Sequence, residues 1–204
     1  RLNSSAASDV YKRQTQKYGT PVGGRFWYSN DGTTFTRATP NYPGYPAVNP
    51  DNIQRTEIAP SAIDTDTHYV LMRVTGTASG TIPVIYKTTD NFNNLTYIPA
   101  PADADTGIPD EDFTRGQAYY DLEIEVDPTN DDILYVGGID WFRSQNGGSS
   151  WSQITKWSNN NNLAALNCSL VHADQHGLYF RPGAPNQAIV VNAVSYTQLT
   201  LPTN

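Results

Sequence analysis

Three stretches of this 204-residue chain repeat one layout at a spacing of nearly sixty residues, and that periodicity limits the available folds more than any other feature. Each stretch is an apolar, strand-like run that ends in a polar turn. The copies are Arg25-Phe26-Trp27-Tyr28-Ser29-Asn30-Asp31-Gly32, Val84-Ile85-Tyr86-Lys87-Thr88-Thr89-Asp90-Asn91 and Asp140-Trp141-Phe142-Arg143-Ser144-Gln145-Asn146-Gly147. The hydroxyl residues opening the turns, Ser29, Thr88 and Ser144, stand 59 and 56 positions apart. A short apolar stretch follows each turn, at Phe35, at Leu95 to Ile98 and at Trp151 to Ile154.

A second repeated element comes before the first. Leu122-Glu123-Ile124-Glu125-Val126-Asp127-Pro128 leads through a polar turn to Ile133-Leu134-Tyr135-Val136. The plan recurs from Leu178 to Pro182 and on to Ala188-Ile189-Val190-Val191, and more loosely from Ile58-Ala59-Pro60 to Tyr69-Val70-Leu71-Met72. Together these give four short strands per unit. Four antiparallel strands returning at a fixed period are the mark of propeller blades, so the expected fold is all-β, a partial β-propeller of about three blades. Such units bury their sheet faces only against neighbouring units. Composition agrees: charged residues are 16%, and Gly, Pro, Asn and Asp supply turns.

The net charge of −7 excludes a general nucleic-acid binder, which needs basic residues to displace counterions from phosphates. It also disfavours adhesion to anionic lipid. No apolar run approaches the length of a membrane span. Cys168 is the single cysteine and has no internal partner, which leaves the compartment open.

The polar turn resembles the Asp-box of bacterial-neuraminidase-type repeats, Ser/Thr-x-Asp-x-Gly-x-Thr-Trp/Phe. Ser144 to Trp151 matches at full length, with Asn146 for Asp, Gly148 in place and Trp151 at the end. Ser29, Asp31, Gly32 and Phe35 match with one residue deleted, whereas the copy at Thr88 and Asp90 lacks both the Gly and the terminal aromatic. The order of elements is similar to that of sialidase, xyloglucanase and sortilin-like propellers of secreted bacterial proteins. The resemblance implies scaffold turns between third and fourth strands, away from the ligand face, and an extracellular or periplasmic location. It implies no one activity, because propellers host unrelated functions. A sialidase needs an arginine triad and a tyrosine nucleophile; the Phe-Arg-Ile-Pro signature is absent, and Arg181 aligns with Asp127 at a strand end.

In such propellers the ligand face is built by the loops leading into each innermost strand and by those joining the middle strands. Three lead-in loops are expected, near Gln54 to Glu57, Gln117 to Asp121 and His172 to His176. Tyr119 and Tyr120 suit stacking on sugar rings, or packing between blades, with Asp121 beside them to accept hydroxyl bonds. If residues 172–176 are extended, His172, Asp174 and His176 share one face, because strand side chains repeat every two residues. They are then metal ligands, ligand contacts or a hydrogen-bonded cluster that locks the blades. Two imidazoles and a carboxylate with no motif-defined fourth partner do not establish a metal site, and no cofactor is expected. Asp121 and Asp174 are the two carboxylates available for glycoside hydrolysis. The acidic, Pro-rich stretch from Pro99 to Gly116 reads as a solvated loop overhanging that face; Asp103 and Asp105 supply too few oxygens for a calcium loop.

Both ends read as foreign. Residues 1–14 and 193–204 resemble translated adapter read-through on a metagenomic fragment, which leaves 15–192 as propeller, with blade parts at about 15–40, 53–98, 119–157 and 172–192 and the remaining blades missing. The expected function is recognition of a glycan or protein ligand. The alternatives are a xyloglucanase- or sialidase-like glycoside hydrolase and a structural assembly factor.

Overall fold

The computed structural model describes residues 26–29, 31–44, 47–194 and 196–200, the last five by backbone alone. The expected foreign segment 1–14, residues 15–25 of the first blade part, Asn30 and residues 201–204 lie outside the described residues.

Apart from short helical turns at Pro50–Asn52 and Asn161–Ala165, the regular structure is β. A two-stranded ribbon joins β1 (Phe26–Tyr28) to β2 (Thr36–Ala38). Next come β3 (Ile53–Pro60), β4 (His68–Thr77), β5 (Gly80–Thr88) and β6 (Thr96–Ile98), paired in chain order as one antiparallel sheet. A second sheet of the same plan contains β7 (Glu123–Asp127), β8 (Asn130–Gly137), β9 (Trp141–Ser144) and β10 (Ser152–Gln153). A small parallel pair, β11 (Thr155–Lys156) and β12 (Ser169–Leu170), leads into the last sheet of β13 (Gln175–Arg181), β14 (Ala184–Asn192) and β15 (Tyr196–Thr200). Residues 196–200, within the second segment expected to be foreign, thus pair along β14 as a third strand.

The period-two alternation of strand side chains explains how the sheets stack. On β4, Val70, Met72 and Val74 join Phe26, Ala38 and Phe92 in a core facing the ribbon. Tyr69 and Leu71, one residue out of phase, point the other way, into a core shared with Leu122, Ile124, Leu134, Val136 and Phe142. β8 repeats the device: Ile133 and Tyr135 turn from Leu134 and Val136 to meet Leu178, Ala188 and Val190. Middle strands are buried on both faces, so they read as continuous apolar runs, and each core lies between successive sheets. The first strands β3, β7 and β13 lie side by side.

The turns at Thr88 and Ser144 lie between third and fourth strands, that at Ser29 joins the two strands of the ribbon, and all three close with the same bonds. The hydroxyls of Ser29, Thr88 and Ser144 donate to the Oδ1 atoms of Asp31, Asp90 and Asn146 at 3.0 Å in all three turns. The same hydroxyls accept from the backbone N–H of Gly32, Phe92 and Gly148 at 2.9, 3.0 and 2.8 Å. The Oδ1 atoms then accept from the N–H of Thr34, Asn94 and Ser150. The first turn, one residue shorter, keeps these three bonds. Asn91 and Phe92 adopt the positive φ values, 54° and 65°, that Gly147 and Gly148 take at 66° and 87°. Phe92 is held there by stacking on Phe26, with ring centroids 4.8 Å apart. Trp151, closing the third turn, donates its indole N–H to Pro99 O, just beyond β6 of the neighbouring sheet.

The turns lie at the end of each sheet where first and second strands connect: Asn91 donates to Asp66, and Gly147 N–H to Asp132 O. The connections leading from one sheet to the next therefore cross the opposite end. Residues 99–122 form the longer of these, and the expectation of a solvated loop there is overturned. Phe113 and Thr114 are fully buried, Asp103 and Asp112 nearly so, and Phe113, Ala118 and Leu122 complete the core between the two full sheets. Asp103 is affordable inside because Arg115 grips both its oxygens at 2.9 Å and reaches Asp105 at 2.9 Å. The lead-in expected at Gln54 to Glu57 is also corrected, since these residues already belong to β3, starting at Ile53.

Candidate ligand-binding face

Arg55 organises the end opposite the polar turns. It projects from β3, and its Nη1 donates to the carbonyls of Tyr119 and Tyr120 at 3.3 and 2.7 Å. Its Nη2 donates to Leu122 O at 3.1 Å, and Glu57 and Glu123 neutralise it from either side. One guanidinium thus fixes the backbone leading into β7. With the backbone held, the rings of Tyr119 and Tyr120 stand outward, 55% and 46% exposed. Arg73, directly across from Arg55 on β4, lies 5.9 Å from the Tyr119 ring centroid. His176 meets the Tyr120 ring edge-on at 4.6 Å.

Asp121 turns inward where its neighbours turn out. It is fully buried, and neither carboxylate oxygen has a partner beyond the residue's own N–H. Burial pushes its pKa up to about 8, with a further push from the charge of Asp174 and relief from Arg55. Asp121 and Asp174 are thus electrostatically linked, as a carboxylate pair would be. The grouping of His172, Asp174 and His176 does not follow the extended geometry expected for it. Asp174 has φ 65°, which breaks the two-residue alternation just before β13 begins. His172 is exposed, with Nδ1 3.1 Å from Ala173 O, while His176 goes to Tyr120. Among the described residues no three His, Cys, Asp or Glu side chains are gathered closely enough to hold a metal ion.

Further out on the same end, the β8–β9 loop buries Asp140. Its oxygens accept from Gln153 Nε2 at 3.0 Å and Thr155 Oγ1 at 3.3 Å. Burial, then the charge of Asp103, pushes Asp140 up to about 7 against the opposing pull of Arg115. Gln175 joins this loop to the last sheet. Its Nε2 donates to the carbonyls of Ile139 and His172, its Oε1 accepts from the Trp141 indole at 2.9 Å, and its N–H donates to Gly138 O. Sequence reasoning assigned no role to Arg55, Arg73, Asp140 or Gln175. The available signal was an arginine interrupting the apolar run from Tyr69 to Val74.

No protein-family model and no curated protein matches the chain. Among solved structures, a GH74 enzyme of Niastella koreensis is similar over 89% of this chain and 26% of its own, at 18% identity and a TM-score of 0.54. The GH74 xyloglucanase of Xanthomonas campestris is similar over 86% and 24%, at 16% identity and 0.51. YCF48 bound to a D1 peptide aligns over 91% and 46%, at 12% identity and 0.49. The chain spans about a quarter of the length of either GH74 protein. Identities this low speak for architecture alone. Taken with two successive four-stranded antiparallel sheets that share their cores face to face, the likeness makes the described part of this chain a partial β-propeller.

Proposed function

We propose that this chain is part of an Asp-box propeller whose end opposite the polar turns recognises glycan. The common bond pattern of the turns at Ser29, Thr88 and Ser144 supports the Asp-box reading. One observation carries the recognition reading: Tyr119 and Tyr120 hold two large rings in solvent on a backbone pinned by Arg55. Rigid aromatic platforms bind with little entropy cost, because few torsions are left to freeze. His176, edge-on to Tyr120, is a candidate polar contact, and Asp174 and His172 are candidates from the same loop. An extracellular or periplasmic setting suits a glycan ligand. The test is titration with soluble β-glucans, xyloglucan included. Tyr119→Ala with Tyr120→Ala is expected to weaken binding about tenfold or more at unchanged melting temperature. Undiminished affinity in that double variant would rule the reading out.

A hydrolase is the second reading, favoured by Asp121. A carboxyl with a pKa of about 8 keeps its proton at neutral pH, as a general acid must, and Asp174 would serve as its partner. Full burial of Asp121 weighs against it. Reducing-sugar release that vanishes in Asp121→Asn would favour it. A structural assembly role fits the same scaffold with a protein ligand in place of the sugar.

A further inference from the structure

Among the described residues, Arg73 differs from Arg55 and Arg115 in having no carboxylate partner. Arg55 is engaged by two glutamates and three carbonyls, and Arg115 by two aspartates. Arg73 is half-buried, its Nε is enclosed without a hydrogen-bond partner, and no carboxylate pairs with it among the described residues. It also sits directly across from Arg55 in the β3–β4 register, where like charges repel. Burial accordingly lowers its pKa. A guanidinium nevertheless stays charged at any ordinary pH, and enclosing an unpaired charge is costly. The Arg73 guanidinium lies over the exposed ring of Tyr119.

We propose that Arg73 and Tyr119 form a subsite for an acidic sugar, the guanidinium taking the carboxylate of a uronate while the Tyr119 ring packs against the pyranose. This rests on the glycan reading above and narrows it to a charged substrate class. A carboxylate matches the forked donors of arginine, whereas a neutral sugar leaves the charge unanswered. Arg55 contributes to selectivity only by field, since its donors are already in use.

The experiment titrates the full chain with an α-1,4-linked trigalacturonate and with its methyl ester, which keeps the ring and deletes the charge. The acid is expected to bind about tenfold more tightly than the ester, with the advantage shrinking as salt is raised. Arg73→Gln is expected to remove the preference for the acid over the ester, and Arg73→Lys to restore part of it. Because Arg73→Gln deletes an unpaired, half-buried charge, its melting temperature should not fall, which separates lost binding from lost fold. Equal binding of acid and ester overturns the proposal but leaves the glycan reading standing, as does a preference that survives Arg73→Gln. Failure of both sugars to bind also overturns the proposal, and the β-glucan titration then decides separately whether the glycan reading stands. Arg73-dependent capture of a glutamate-rich peptide without either sugar also overturns it, in favour of a protein ligand.

Discussion

Asp121 and Asp140 differ in company more than in depth. Both are fully buried, but Asp140 accepts hydrogen bonds from Gln153 and Thr155 while Asp121 has only its own N–H. The folded form of Asp121 holds its proton to about pH 8, whereas an unfolded aspartate releases it near 3.8. Between those values the native chain binds the extra proton, so its stability is greatest below the lower value and declines as the pH rises toward the upper one. Each unit of such a shift is worth about 1.4 kcal/mol. Asp121→Asn is therefore expected to raise the melting temperature clearly at pH 8 and hardly at pH 4, as thermal melts across that range would register. Phe92 poses a different residue-scale question, because a bulky side chain sits at φ 65°. Phe92→Ala loses the stack on Phe26 and retains the strained backbone, for about 3 kcal/mol. Phe92→Gly is expected to lose about 1 kcal/mol less, inverting the usual order of Ala over Gly; chemical denaturation of both variants measures the difference.

At the scale of elements, the polar turns show which features a sequence makes visible. Their chemistry is local: a hydroxyl, an amide or carboxylate two positions on, and a residue that tolerates positive φ, all within eight residues. Ser144, Asn146 and Gly148 could therefore be located from their order alone. Gly148 also fills a packing role, as a side-chain carbon there would collide with Ile98 of the preceding sheet. Gly148→Ala should cost about 1–3 kcal/mol on equilibrium unfolding, whereas Gly183→Ala, at positive φ with open space around it, should cost only the backbone strain. The connection from Pro99 to Leu122 was opaque for the converse reason. Its acidic composition reads as solvated until the fold brings Arg115 onto Asp103 and Asp105 and seats Phe113 on Phe142. Arg55 was equally hidden, because its partners at Tyr119, Tyr120 and Leu122 are more than sixty residues away. The alternation assumed for His172 to His176 failed at the single left-handed residue Asp174.

At the scale of the molecule, the middle strands of the two four-stranded sheets are buried on both faces, and the last described sheet is not. Tyr179 and Ile189 are cross-strand partners on its far side, 61% and 45% exposed. Tyr69 and Tyr135, which stand on the second strands of the preceding sheets as Ile189 does here, are sealed. An open apolar sheet face of this kind promotes association. Sedimentation of the chain is expected to show concentration-dependent self-association that Ile189→Lys reduces. No helix among the described residues is long and apolar enough to cross a membrane. The amide of Gln175, meanwhile, closes the seam between the last two sheets by accepting the Trp141 indole proton and donating to two carbonyls. That proton is shielded from water while the seam holds, so its exchange with deuterium times the parting of neighbouring sheets. A single downfield NMR resonance would then act as a clock for how often the two sheets part at this joint.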